Sequence, residues 1–174
     1  MQSVKIVVTG PFNAGKTTFI KSVSEITVLS TEREVSDATP GAGGETTVAM
    51  DFGRITISDD IVLYLFGTPG QERFSFMWET LSEGMLGFVL LVDATDESSM
   101  DDAAGIVSFF RAMSSVPFVI AANRAESQNG ELGSLHERLG LDSPVEVLAV
   151  DARDRESVKN VLIALLRRIL ETME

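Results

Sequence analysis

The run Gly10-Pro11-Phe12-Asn13-Ala14-Gly15-Lys16-Thr17 decides the fold. It follows a β-branched, apolar run over residues 4–8, which reads as a strand buried on both faces. It leads into residues 18–23, which read as the opening of a helix. Strand, then G-x-x-x-x-G-K-[ST], then helix is the context of a phosphate-binding loop. Such a loop aims successive backbone N–H groups at one concavity, and the helix behind it adds the positive end of its dipole. Gly10, Asn13, Ala14, Gly15, Lys16, Thr17 and Thr18 are therefore the expected phosphate contacts. Lys16 brings a point charge for the β- and γ-phosphates, and Thr17 a hydroxyl for Mg²⁺.

Downstream, apolar runs alternate with helical patterns. Residues 46–53 and 54–66 read as two strands joined by a hairpin turn at Ser58-Asp59-Asp60. Residues 86–92, 116–122 and 145–150 read as further strands. Helices are expected over 16–26, 71–83, 98–113, 135–139 and 156–172. Residues 27–45 are rich in Ser, Thr, Gly and Asp and read as a long loop, functional or disordered. The pattern predicts one α/β domain over 1–174, a P-loop NTPase. Its sheet has six mostly parallel strands, one antiparallel edge strand, and helices on both faces.

The 174 residues are 44% hydrophobic and 23% charged, enough for one domain with a substantial core. A formal charge of −12 argues against nucleic acid and anionic membrane as partners, since both reward clustered Lys and Arg. There is no cysteine, which excludes disulfides, prenylation, palmitoylation and thiolate metal sites. With Gln2 in place no N-myristoylation is expected, a first strand from about Val4 leads us to expect no signal peptide, and no apolar run is long enough to span a bilayer. A cytoplasmic protein without a membrane anchor of its own is expected.

Three further motifs follow in order: Thr46-Thr47-Val48-Ala49-Met50-Asp51-Phe52, then Phe66-Gly67-Thr68-Pro69-Gly70-Gln71-Glu72-Arg73-Phe74, then Asn123-Arg124-Ala125-Glu126. With the loop at 10–17, this order resembles the Ras-like small GTPases from the first strand to the last helix. The G-Q-E-R-F run is similar to the Rab version. The runs T-T-V-A-M-D-F-G and L-F-G-T-P-G-Q-E-R-F-x-F-M-W resemble bacterial MglA-type GTPases and the related roadblock-associated group.

The resemblance implies roles. Thr47 would join Thr17 on Mg²⁺, Gly70 would donate its N–H to the γ-phosphate, and Gln71 would orient the attacking water. Asn123, Arg124 and Glu126 would hold guanine, with the carboxylate accepting from N1–H and the exocyclic amine. Arg124 would stack its stem on the base. Ala152, in Val150-Asp151-Ala152-Arg153, would offer its N–H to the guanine O6. GTP or GDP is the expected ligand, with Mg²⁺ as cofactor.

The chain departs from the Ras-like pattern in places. Gly67 stands where Ras-like chains carry the aspartate that holds a water on Mg²⁺. Asp93 reads as a loop cap rather than its substitute. Phe12 and Asn13 replace small glycines, and bulk at Phe12 hinders an arginine finger supplied from outside. Thr46 stands where the MglA type carries an arginine, leaving Arg33 in the polar loop as a candidate substitute. Intrinsic hydrolysis is then expected to be slow, on the order of 10⁻⁴ to 10⁻³ per second.

Phe74, Phe76, Met77 and Trp78 cannot all face inward on one helix, so part of this segment is expected to meet a partner. The resemblance suggests a roadblock/LC7-type regulator, besides an effector that reads the GTP state. On that reading Trp78→Ala weakens partner binding and spares nucleotide affinity. His136 reads as a surface residue. Two alternatives stand beside the regulatory GTPase: a nucleotide-bound interaction module that hardly turns over, and an ATP-using P-loop enzyme. The last would need an arginine-rich lid that the sequence lacks.

Overall fold

The computed structural model describes residues 2–36, 45–71, 74–125 and 132–174, with 29–36 and 45–49 as backbone only. Along the chain run β1 (Gln2–Thr9), α1 (Lys16–Val23), β2 (Leu29–Ser36), β3 (Glu45–Ser58), β4 (Ile61–Gly67), α2 (Phe76–Ser82), β5 (Gly87–Asp93), α3 (Met100–Met113), β6 (Phe118–Asn123), α4 (Leu135–Arg138), β7 (Val147–Val150) and α5 (Arg155–Thr172).

The strands form one sheet in the order β2-β3-β4-β1-β5-β6-β7. The five from β4 to β7 are parallel, β3 is antiparallel to β4, and β2 is antiparallel to β3. The expected fold is present, with one correction. The sheet has seven strands, because residues 29–36 pair with β3 instead of lying in a loop. The antiparallel β3 is therefore covered by β2 and is not itself the edge. Arg33, expected in the loop, lies within β2 opposite Val48. The run Leu29-Ser30-Thr31-Glu32-Arg33-Glu34-Val35-Ser36 is polar and charged, as an edge strand that resists further pairing is.

Side chains of the central strands divide between two cores. In β1, Val4, Ile6 and Val8 pack toward α1 and α5, while Val7 packs on the opposite face. In β5, Val89 and Leu91 join the first core, and Phe88, Leu90 and Val92 the second. Continuous apolar strands result because helices cover both faces. The helical spacing of Val158, Val161, Leu162, Leu165 and Ile169 does place all five in the core. On α3, Ile106 and Phe110 are buried, with Phe109 and Met113 partly buried beside them. His136 is half-buried rather than on the surface, its Nε2 lying 2.7 Å from the Val145 carbonyl oxygen.

Chain order reverses direction across the sheet at β1, which lies between β4 and β5. A crevice opens beyond the carboxyl ends of the strands at such a point. The loops leaving β1, β4, β6 and β7 carry the motif residues 10–17, 67–71, 123–125 and 150–153 to that one edge.

Candidate functional site

The loop between β1 and α1 is built around two glycines. Gly10 (φ 151°) passes so close to β5 that a Cβ would stand 2.0 Å from the Leu91 carbonyl oxygen. Gly15 (φ 106°) leaves no room either, since a Cβ would lie 2.6 Å from Asn123 Nδ2. Asn13 is also left-handed (φ 67°), a conformation Asn tolerates better than most residues. Left-handed residues within a tight turn are how a chain directs successive N–H groups into one concavity. The Ala14 N–H donates to the Pro11 carbonyl at 3.2 Å, closing the turn. Thr18 is exposed on the first turn of α1.

Lys16 extends along the loop and donates to the carbonyls of Gly10 and Pro11, both at 2.7 Å. Burial pushes its ammonium down to about 8, partly offset by the charge of Asp51. Gly70 lies against the same loop: a Cβ there would be 2.5 Å from Phe12 N and 2.8 Å from Lys16 Nζ. Only glycine allows the segment after β4 to approach the phosphate loop this closely. Gln71 follows, half-exposed, with its carbonyl accepting from the Phe74 N–H at 2.9 Å.

Thr17 donates its hydroxyl proton to Asp51 Oδ2 at 2.5 Å. Asp51 lies on β3 directly across from Gly67. Sequence reading missed this carboxylate because the contact depends on strand register, which no local motif encodes. Thr17 and Asp51 are hard oxygen donors, the class Mg²⁺ takes, and Mg²⁺ is commonly held by one or two carboxylates plus substrate phosphates. Among the described residues no cluster of three acidic or imidazole ligands exists to form an all-protein cage. The donor set therefore fits Mg²⁺ arriving with a phosphate ligand. Thr47 stands on β3 opposite Glu34, placed here by its backbone.

Asn123, nearly fully buried, ties three segments together. Its Nδ2 donates to the Ala14 carbonyl at 3.0 Å, and its Oδ1 accepts from the N–H groups of Ala152 and Arg124, each at 3.1 Å. An amide nitrogen carries two hydrogens, and Ala14 takes one. Arg124 (φ 62°) reaches over the loop. Its Nη1 donates to the Asn13 carbonyl at 3.2 Å and to Asp93 Oδ2 at 2.8 Å. Asp93 caps its own loop by accepting from the Thr95 N–H and hydroxyl. Burial acts to raise the Asp93 carboxyl, yet the bonds from Thr95 and Arg124 prevail and hold it below the usual carboxylate range. Ser22 on α1 completes the frame by donating to the Ala152 carbonyl.

Beside this frame opens a cavity of about 560 Å³, lined by Thr18, Asn123, Arg124, Ala152 and the Asp151–Arg153 ion pair among others. Volumes of this size hold small organic ligands and cofactors. The structure brings the phosphate-loop residues, Gly70, Asn123, Arg124 and Ala152 to one edge. Glu126 lies outside the described residues.

The expected partner segment divides. Phe76 is exposed (56%) and Met77 partly so, but Phe74 and Trp78 are buried (5% and 4%) and belong to the core. Trp78 packs edge-on to Phe109 with ring centroids 5.2 Å apart, and its Nε1 donates to the Pro69 carbonyl at 2.8 Å. An indole can be buried at low cost when its N–H finds such a partner.

Similarity to known proteins runs in the same direction. A family model described as "Conserved hypothetical ATP binding protein" matches residues 26–172. An uncharacterized protein of Methanocaldococcus jannaschii is 31% identical over 99 residues, covering 57% of this chain and 56% of that protein. The Ras-related protein Rab-8A of Rattus norvegicus is 28% identical over 136 residues, covering 74% of this chain and 66% of its own length. Rab-8B of Homo sapiens is 28% identical over 132 residues, covering 72% and 64%. The chain thus spans less than two thirds of the length of these relatives. It belongs to the family described as the conserved hypothetical ATP binding proteins, and its fold is that of the Ras-like P-loop proteins.

Proposed function

We propose that the chain is a GTP-binding regulatory switch whose slow GTP hydrolysis is stimulated by a partner. The observation that carries this reading is the cavity joined to the phosphate loop through the Asn123–Ala14 bond. A base in that cavity would meet the second amide hydrogen of Asn123 and share the Ala152 N–H that now donates to Asn123 Oδ1, while Glu126 would supply the carboxylate for N1–H and the exocyclic amine. Guanine offers those two donors together and adenine does not, so guanine is the base we assign, although the family description names ATP.

With the phosphates in the loop, Lys16 exchanges its carbonyl partners for phosphate oxygens. Thr17 would hold Mg²⁺, which supplies charge neutralisation to the phosphates when bound; Thr47 lies four residues further out along β3 than Asp51, so it would join the metal only after that part of the strand moves toward the loop. Gly70 directs its N–H to the γ-phosphate and Gln71 orients the water. Loss of the γ-phosphate releases both segments, the general logic of such switches. Within Ras-like proteins we group the chain with the bacterial MglA-type and roadblock-associated GTPases, acting in the cytoplasm. A roadblock/LC7-type regulator and a GTP-state effector are its partners, and Phe76 with Met77 is the surface offered to them.

A second reading has support of its own. Phe12 is 61% exposed at the loop, where its bulk obstructs an incoming arginine, and Gly67 lacks a carboxylate. A nucleotide-bound interaction module with negligible turnover fits those features. Chromatography of the nucleotide retained by the purified protein, repeated over hours, separates the readings. GDP supports the switch and persistent GTP supports the module. Retained ATP overturns both.

A further inference from the structure

The sheet has a second end, and the charge there runs against the rest of the chain. Between the carboxyl end of α3, the turn before β7 and the last turns of α5 lies a cavity of about 410 Å³. Arg111 and Arg168 stand in its walls, Ser114 and Ser143 add hydroxyls, and Pro117 and Phe118 give apolar surface. A second cavity, of about 280 Å³, meets it at Arg111, and its lining includes Val107, Leu139 and Leu141. The two make one groove, apolar at one end and cationic at the other, with Arg111 at the junction. Among the described residues no acid lines either part, in a chain of 26 acidic and 14 basic residues. β6 runs from Phe118, in this groove, to Asn123 behind the phosphate loop, so about 17 Å of strand separates the two places.

The walls are set before anything binds. Ser114 Oγ accepts from the Val116 N–H at 3.3 Å, and His136 Nε2 lies 2.7 Å from the Val145 carbonyl oxygen. Both arginines are available. Arg111 has no acidic partner among the described residues. Arg168 meets Glu146 only at 3.6 Å, with both side chains partly exposed, and an exposed pair of that length contributes little. Guanidiniums take carboxylates in two-pronged hydrogen bonds, and clustered arginines recognise acidic motifs.

We propose that this groove docks a short acidic segment of another protein, with an apolar side chain at the Val107–Leu139 end and carboxylates against Arg111 and Arg168. A free inorganic anion would leave the apolar end uncovered. Nucleic acid or an anionic bilayer would set many further negative charges against a chain of net charge −12. A segment with one or two acids avoids that repulsion. Docking here does not depend on which base is held at the other end of the sheet. The plain alternative is that Arg111 answers only the dipole at the end of α3, and Arg168 only Glu146.

Nuclear magnetic resonance of the ¹⁵N-labelled full chain separates the two. The probe is the capped peptide Leu-Ser-Glu-Ser-Glu, with Leu-Ser-Gln-Ser-Gln as its neutral control. Saturable shifts are expected in the Arg111 and Arg168 Nε–H signals and in backbone amides within 114–118 and 143–145, but not at 10–17. The neutral peptide binds at least ~10-fold more weakly. Arg111→Gln and Arg168→Gln each weaken binding of the acidic peptide by about 3–10-fold, and the double variant loses saturable binding. Added salt weakens binding to the wild type. Wild-type amide dispersion reports that each variant is folded.

Equal binding of the neutral peptide overturns the proposal, as does unchanged affinity in either arginine variant. So does the absence of saturable shifts up to millimolar peptide. Shifts confined to 10–17 mean a carboxylate in the phosphate loop and overturn it too. Sedimentation of the wild type, but not of the double variant, with phosphatidylserine vesicles would make the groove a membrane contact and overturn the peptide assignment.

Discussion

Trp78 is the residue whose replacement bears most directly on how the segment after β4 is held. Its ring lies between the segment after β4 and the aromatic face of α3, touching Phe109 and Phe110. Its Nε1 holds the Pro69 carbonyl, one residue before the Gly70 that leans on the phosphate loop. Truncating a buried Trp to Ala costs about 3–5 kcal/mol. In a domain of this size each kcal/mol lowers the melting temperature by about 2–4 °C, so Trp78→Ala loses roughly 8–16 °C at about 4 kcal/mol. Trp78→Phe isolates the hydrogen bond. It keeps an aromatic ring against Phe109 but leaves the Pro69 carbonyl without its donor, at a cost of about 1–3 kcal/mol. Chemical denaturation followed by circular dichroism gives both values, since the chain's one tryptophan is lost as a fluorophore. Release rates of GTP and GDP analogues from Trp78→Phe give the functional half. On the GTP-binding reading, freeing Gly70 of this anchor shrinks the preference between the two nucleotides. Stability within about 0.3 kcal/mol of wild type in Trp78→Phe, with unchanged release rates, would refute the anchoring argument, the expected loss being at least about 1 kcal/mol. The expectation for Trp78→Ala from sequence alone, partner binding weakened with nucleotide affinity spared, does not survive a buried, hydrogen-bonded indole.

Other perturbations give clear readouts. Gly15→Ala places a methyl against the Asn123 amide in a backbone conformation alanine avoids, so nucleotide retention after purification is lost and unfolding shifts by about 1–3 kcal/mol. Asn123→Ala strips acceptors from the N–H groups of Ala152 and Arg124, and fluorescence titration should find nucleotide affinity reduced at least ~100-fold, equivalent to about 3 kcal/mol. Lys16 is depressed by burial to about 8 in the folded protein from an ordinary 10.5. The unfolded chain then binds more protons between those values, so the destabilisation is full below pH 8 and fades as pH rises toward 10.5. Unfolding of nucleotide-stripped Lys16→Met and wild type should converge over that window by on the order of 3 kcal/mol, and parallel curves would contradict the assigned burial. Phe76→Ala changes neither stability nor nucleotide release, whereas binding to a roadblock-type regulator, read by calorimetry, falls at least ~10-fold.

What the sequence disclosed follows from how local each signal is. The loop at 10–17 is legible because its glycines, lysine and threonine act through backbone geometry within eight consecutive residues. The alternation of strands and helices is legible because buried parallel strands are continuously apolar. β2 was hidden by its composition. Ser, Thr and Glu dominate it, and only the two-residue rhythm of Leu29, Thr31, Arg33 and Val35 marks a strand. Asp51 was hidden for another reason: its meaning lies in facing Gly67, and cross-strand register belongs to the whole sheet. Trp78 misled because large apolar residues crowded into five positions suggest overflow to the surface. The chain instead draws the indole inward, where the Pro69 carbonyl satisfies its N–H.

β3 runs for fourteen residues, but its company changes partway along. Its ladder with β4 spans 51–58, and from 45 to 50 it pairs with β2. Only around Asp51 and Phe52 is it flanked on both sides. The outer portion with β2 is thus a two-stranded ribbon projecting from a rooted sheet, and Asp51 stands at the root. Six residues of extended chain reach about 20 Å, so a tilt of about 10° at the root carries the tip some 3–4 Å. Mechanically this is an unequal-armed lever. Should the chain bind a nucleotide as proposed, Ångström-scale adjustments at the root beside Asp51 would be magnified several-fold at the tip of the ribbon.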